Sequence, residues 1–199
     1  MHVPTHLMAS WVLGHRLGER RDRVLVAWAG VSADLDGLTI LAGPDAYSRW
    51  HHALTHGLVA GLLIAMLVAW PAKNRSAVWG LALAGFHLHL VCDFLGSGVD
   101  WPIQYFWPLN DTFYSTPYGW ELDAWQNWVM ATGLLLICGR LALMSGHSFA
   151  ETLLSKRVDH QVVLALRRRF APERLDPAEV CSSSDGPSLR PGSIRSSYR

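Results

Sequence analysis

Gly85-Phe86-His87-Leu88-His89-Leu90-Val91-Cys92-Asp93 lies inside an apolar run that begins near Ala77. Two imidazoles and a carboxylate in such surroundings need partners. Each polar group left unpaired in an apolar interior costs about 2–7 kcal/mol. On a helix, His89 and Asp93 are four residues apart and share a face, whereas His87 points away. A His–Asp pair stacked one turn apart can clasp a metal ion or make an ordinary hydrogen bond. The pair alone does not choose between these.

Working outward, 77–95 is long enough to span a bilayer, and other stretches resemble it. Val24 to Leu41 is apolar but broken by Ser32-Ala33-Asp34-Leu35-Asp36-Gly37. Gly57 to Trp70 is a nearly unbroken apolar run, led in by Arg49-Trp50-His51-His52-Ala53-Leu54-Thr55-His56 and closed by Pro71. Ala124 to Met144 is the cleanest span. Pro4 to Leu17 predicts a short helix, since proline suits a first helical turn, but its length covers only part of a bilayer core, which takes about 20 residues. The expected fold is therefore all-α: a polytopic helical membrane protein with about four transmembrane helices plus a short N-terminal helix.

The composition agrees. Half of the 199 residues are hydrophobic and only 17% are charged. The charges concentrate at the ends of the chain and in short loops, as in integral membrane proteins. Ten tryptophans fit interfacial anchoring. A net charge of +1 gives no field that would attract nucleic acid. Cys92, Cys138 and Cys181 have neither metal-ligand spacing nor the pattern of a disulfide framework. No basic segment precedes an apolar core at the N-terminus, so no signal-peptide layout is expected.

The connections carry further expectations. Arg16 and Glu19–Arg23 read as a solvated, mostly basic turn, and Lys73-Asn74-Arg75 as a basic loop. Residues 96–123, aromatic and acidic, read as an ordered loop at an interface. Val158 to Phe170 reads as an amphipathic helix on anionic lipid headgroups, followed by a disordered tail from Ala171. Two regions are thus expected: a membrane-embedded domain, 1–155, and a basic segment with its tail, 156–199. The positive-inside rule puts the basic loops and the C-terminus in the cytoplasm of a multi-pass cell-membrane protein. His51, His56, His89 and Asp93 then fall toward the outer side, with Asp34 and Asp36 mid-span.

Hydropathy leaves His6, Asp34, Asp36, His51, His52, His56, His87, His89 and Asp93 unexplained. All are His or Asp, the ligand set for Zn, Mn or Fe. None is Lys or Arg, the partners that ion pairing would call for. His2, His15, His147 and His160 read as surface groups, and His87 as a hydrogen-bonded core histidine. Intramembrane ionisable residues mark functional sites by default, and several His/Asp clusters in one small domain favour a metal over a merely structural network.

Order and spacing resemble a family. Thr5-His6-Leu7, Asp34-Leu35-Asp36, His51-His52-Ala53-Leu54-Thr55-His56, His89-Leu90-Val91-Cys92-Asp93, Gly98 and Trp107-Pro108 are similar to the motifs of the YdjM-like family of membrane-bound metal-dependent hydrolases. The likeness covers about residues 4 to 110. Ala33 stands where the family usually has proline, and His52 where it usually has arginine. The resemblance implies a metal-dependent hydrolase, and we expect one or two divalent ions, zinc first and manganese or iron as alternatives. The expected metal ligands are His6, Asp36, His51, His56, His89 and Asp93. Asp34 and Asp36 are the catalytic carboxylates, one serving as base and the other as ligand. His52 and Trp107 are assigned to the substrate, a lipid-borne phosphoester. The rival readings are a small metal or proton transporter using the same His/Asp layer, and a non-catalytic membrane protein.

Overall fold

A computed structural model describes residues 1–174. Among them, seven α-helices follow one another: α1 (Val3–Gly14), α2 (Arg20–Val31), α3 (Pro44–Trp50), α4 (Leu58–Ala69), α5 (Arg75–Gly96), α6 (Trp125–Ser145) and α7 (Lys156–Phe170). A 3-10 stretch, Ser32–Ala42, continues α2. No β-strand forms among the described residues; one isolated antiparallel bridge joins Ile103 to Tyr114. The fold is the expected all-helical one.

Three segments are long and apolar enough to cross a membrane: Arg20–Ala42, Arg75–Gly96 and Trp125–Ser145. The expected span at 57–70 is shorter, with only Leu58–Ala69 helical. Its His-rich lead-in is an irregular turn rather than helix, and the site uses that turn. Only 11% of the apolar window of α6 is buried inside the protein, and Leu135, Leu136 and Ile137 face outward. An apolar helix this uncovered suits lipid surroundings, because exposed apolar patches of such extent are unfavourable in water.

α5 is central and packs on α1, α2 and α4. Its contacts with α1 and α2 close over small residues. A Cβ on Gly30 would lie 1.7 Å from Ser10 Oγ, and one on Gly85 3.1 Å from the same atom. The backbones of α1, α2 and α5 therefore approach as closely as glycine permits. Phe86 of α5 fills the space beside Gly61 of α4, where a Cβ would lie 2.7 Å from the ring. The loop 97–124 is ordered, as expected. Buried Asn127 of α6 donates to Gly96 O and Leu122 O and accepts from Trp120 Nε1, pinning both ends of the loop.

The turn expected to be solvated, at 16–23, is not uniformly so: Asp22 and Arg23 are buried. Asp22 accepts the backbone N–H groups of Lys73 and Asn74, closing the α4–α5 turn. Arg23 makes a two-pronged bond to buried Glu151, 2.6 Å on each prong. α7 begins two residues before the expected amphipathic helix and ends with it at Phe170. Pro172–Arg174 forms a short 3-10 turn; the rest of the expected disordered tail lies outside the described residues.

Candidate metal centre

α2 with its 3-10 extension, the turn before α4, and the second half of α5 end at one place. They bring Asp34, His56, His89 and Asp93 together, one ligand atom from each lying within 4.8 Å of the others. His89 Nε2 is 3.0 Å from Asp93 Oδ2 and 3.5 Å from Asp34 Oδ1. His56 Nε2 is 3.4 Å from His89 Nε2, 3.5 Å from Asp93 Oδ2 and 3.9 Å from Asp34 Oδ1. Four ligands at about 2.0–2.1 Å around a tetrahedral ion are separated by about 3.3–3.4 Å. The measured separations bracket that value.

Lone-pair accounting supports the same conclusion. His56 Nδ1 donates to Asp36 Oδ2 at 2.8 Å, so in the neutral ring Nε2 carries a bare lone pair. That lone pair faces two carboxylate oxygens. No Lys or Arg side chain pairs with these carboxylates among the described residues. Acceptors turned toward acceptors repel unless a cation or proton sits between them. Asp34 Oδ2 and His89 Nδ1 are also buried without a hydrogen-bond partner. The donor set and its spacing fit a divalent ion.

Asp36, His51 and His56 form a second group whose ligand atoms also lie within 4.8 Å of one another and could hold an ion. Asp36 is buried and accepts from His51 Nδ1 and His56 Nδ1, each at 2.8 Å. Both are hydrogen-bond lengths. Asp36 thus fixes the tautomer of His56, as carboxylates behind metal-binding histidines do. Thr55 locks Asp36 in place: its Oγ1 accepts from Asp36 N at 3.0 Å and donates to Ala33 O at 2.5 Å. His6 lies behind Asp93, with Nε2 3.1 Å from Oδ1, and its ring stacks on His89 at 3.7 Å. The Met1 amino group and Ser97 Oγ also donate to that oxygen, so only Oδ2 faces the cluster.

His52 adopts φ 67°, a left-handed conformation uncommon for residues other than glycine. Its Nδ1 donates to Trp101 O at 3.2 Å, which leaves Nε2 bare and 3.9 Å from Asp93 Oδ2. Burial pushes its pKa down to about 3, so the ring is neutral near pH 7. His87 is the core histidine expected: Nδ1 donates to Leu83 O and Nε2 accepts from the Tyr105 hydroxyl.

A cleft of about 480 Å³ opens onto Asp34, His51, His52 and Asp93, walled by Tyr47, Trp101 and Leu122. Trp107, expected at the substrate, does not line this cleft; Trp101 does. A neighbouring recess of about 300 Å³ shares His51, His52 and Trp101 and adds Arg49. Sequence reasoning missed Ser97, Tyr47 and Trp101. Of these only Ser97 left a trace in the sequence, being one helical turn beyond Asp93.

The fold and the cluster together define a helical membrane protein with a largely buried His/Asp group that could hold a metal ion. The family described as YdjM inner membrane protein matches residues 1–158, and the chain belongs to that family. Neither a curated protein nor a solved structure matches it.

Proposed function

We propose that this protein is a membrane-bound, metal-dependent hydrolase acting on a lipid-borne phosphoester. The observation that carries the reading is the convergence of Asp34, His56, His89 and Asp93, unpaired by any Lys or Arg side chain, with Asp34 and Asp93 lining an open cleft and the two histidines buried behind them. These four residues would hold the ion. Two imidazoles and two carboxylates in a four-coordinate cage suit zinc best; manganese and iron take the same donors. When bound, such an ion acts as a Lewis acid that activates water and polarises a phosphoryl oxygen.

The chain's own groups supply the rest. Asp34 lines the cleft with 21% of its side chain exposed, and its Oδ2, covered and without a partner, is the oxygen not turned to His56 and His89. It can therefore accept the proton that an attacking water gives up. Asp36, fully covered and bonded to two histidines, holds His56 in the tautomer that directs Nε2 inward. His52 Nε2 offers a neutral acceptor to a water or substrate hydroxyl. Arg49, at the adjoining recess, provides a cation for a phosphate oxygen. Tyr47, Trp101 and Leu122 give the cleft an apolar wall suited to a lipid. By the positive-inside rule the cleft would open at the outer leaflet, with the C-terminus in the cytoplasm.

A second reading, a proton or metal pathway, is favoured by the hydrogen-bonded line His51–Asp36–His56 leading from the cleft to the cluster. Elemental analysis of detergent-purified protein, wild type beside His89→Ala/Asp93→Ala, comes first. We expect about one zinc, manganese or iron per chain in the wild type and none in the variant, with release of phosphate from lipid phosphoesters lost in parallel. A folded wild type that takes up no metal would overturn the hydrolase reading. Metal without hydrolysis, but with proton or metal flux in proteoliposomes, would favour the pathway.

A further inference from the structure

At the other end of the bundle, α1 closes, α2 begins, α6 ends and α7 begins around a cavity of about 970 Å³. From Arg20 to Asp34 the chain advances roughly 20 Å along α2 and its extension, so this cavity is well separated from the metal centre. Arg16, Arg20, Arg23 and Lys156 line it, with Glu19, Glu151 and Asp159 as its acids.

The acids are already engaged. Glu151 is covered by the two-pronged bond from Arg23 and by Trp11 Nε1 at 2.9 Å. Glu19 pairs with Lys73 at 2.6 Å. Buried Asp159 turns to Ser148, accepting its N–H and hydroxyl. The cations are not engaged to the same degree. Among the described residues Arg16 and Lys156 have no hydrogen-bond or ion-pair partner, and both are exposed. Arg20 uses one terminal nitrogen on the carbonyls of Glu151 and Leu154, while its Nε is buried with no partner at all. Three cations therefore face the one remaining negative charge of Asp159.

Helix ends of both signs meet here, α1 and α6 ending and α2 and α7 beginning at the cavity, so the side chains rather than the backbone dipoles set the field. Arg20 and Lys156 are the first residues of α2 and α7. The N-terminus of α2 has no side-chain cap. The exposed carbonyls near the end of α1 are covered, those of Leu17 and Gly18 by Arg23 and that of His15 by His147, and so do not oppose an anion.

We infer that this cavity binds a phosphate-bearing anion, gripped by Arg16, Arg20 and Lys156. Guanidinium groups pair with phosphate oxygens in two-pronged fashion, and a lysine adds a point charge. A cavity of this volume lies in the range that takes whole ligands rather than a lone ion. The same chemistry is presented by an anionic phospholipid headgroup and by a soluble phosphate compound.

The test compares wild type with Arg16→Gln/Lys156→Gln, whose side chains make no bond the fold needs. A charge-matched control, Arg75→Gln/Arg157→Gln, lies outside the cavity. Inorganic pyrophosphate is titrated into protein in neutral detergent by calorimetry. Native mass spectrometry then reads phosphatidylglycerol against phosphatidylcholine retained from mixed nanodiscs. We expect the cavity variant to lose about tenfold or more in affinity, with the control and the metal content unchanged. Loss of pyrophosphate binding identifies a soluble source, and loss of phosphatidylglycerol alone identifies a headgroup. Equal binding by all three proteins, or equal loss in the control, would overturn the site.

Discussion

Each end of the bundle buries carboxylates, and each solves the problem differently. Glu151 is 1% exposed and held by a permanently charged guanidinium and an indole N–H. Asp36 and Asp93 are each 2% exposed and rely mainly on imidazoles, Asp93 adding Ser97 and the Met1 amino group. Arginine is a poor metal ligand and keeps its proton; a carboxylate paired with it is spent on structure. Imidazole can give up its proton and present a lone pair, so carboxylates paired with it remain available to a cation. The first arrangement builds a joint and the second builds a socket.

This contrast can be broken or sharpened at three places. Arg23→Gln should do the most damage, leaving Glu151 as an uncompensated buried charge at a cost of about 3–5 kcal/mol. Thermal unfolding in detergent should show the loss, while the fraction still folded keeps its full metal content. A variant that lost metal and kept its stability would show that the two ends are not separate in role. Asp36→Asn should leave the fold largely intact but weaken metal binding about 10–100-fold, as expected when the group behind a ligating histidine is changed. Competition against a chelator measures this, and unchanged affinity would remove Asp36 from the site. Lys73→Ala should have the smallest effect, under about 1 kcal/mol, because its bond to Glu19 is largely exposed. A larger effect would mean that the basic end is more tightly coupled than its hydrogen bonds indicate.

Much of this arrangement was legible in the sequence. Hydropathy gave the long helices, and the i, i+4 spacing of His89 and Asp93 gave their shared face. The division of labour within Asp34-Leu35-Asp36 was not legible. In the 3-10 backbone of Ser32–Ala42 these two residues point to different neighbours: Asp34 to the cluster, and Asp36 to the far sides of His51 and His56. Nothing in local spacing foretells a 3-10 run of that length, since such runs are ordinarily short. Nor could it foretell the left-handed turn at His52, around which His51 and His56 converge on the one carboxylate of Asp36. The Arg23–Glu151 bond joins residues 128 apart. A charge destined for such a partner looks, in sequence, like any solvated loop charge. Trp101 and Trp107 both belong to an aromatic loop, and only its folded path decides which one meets the cleft.

The close approach of α1, α2 and α5 over Ser10, Gly30 and Gly85 bears on which ion the centre could accept. The α2 segment continues to Asp34, α5 carries His89 and Asp93, and α1 carries His6 behind them. Helices already at contact cannot move closer, and swelling the cage would mean prising apart a packed core. On the proposed reading, ionic radius becomes the filter. Calcium, with six to eight oxygen ligands at about 2.3–2.6 Å, would need a wider and more yielding shell than these walls permit.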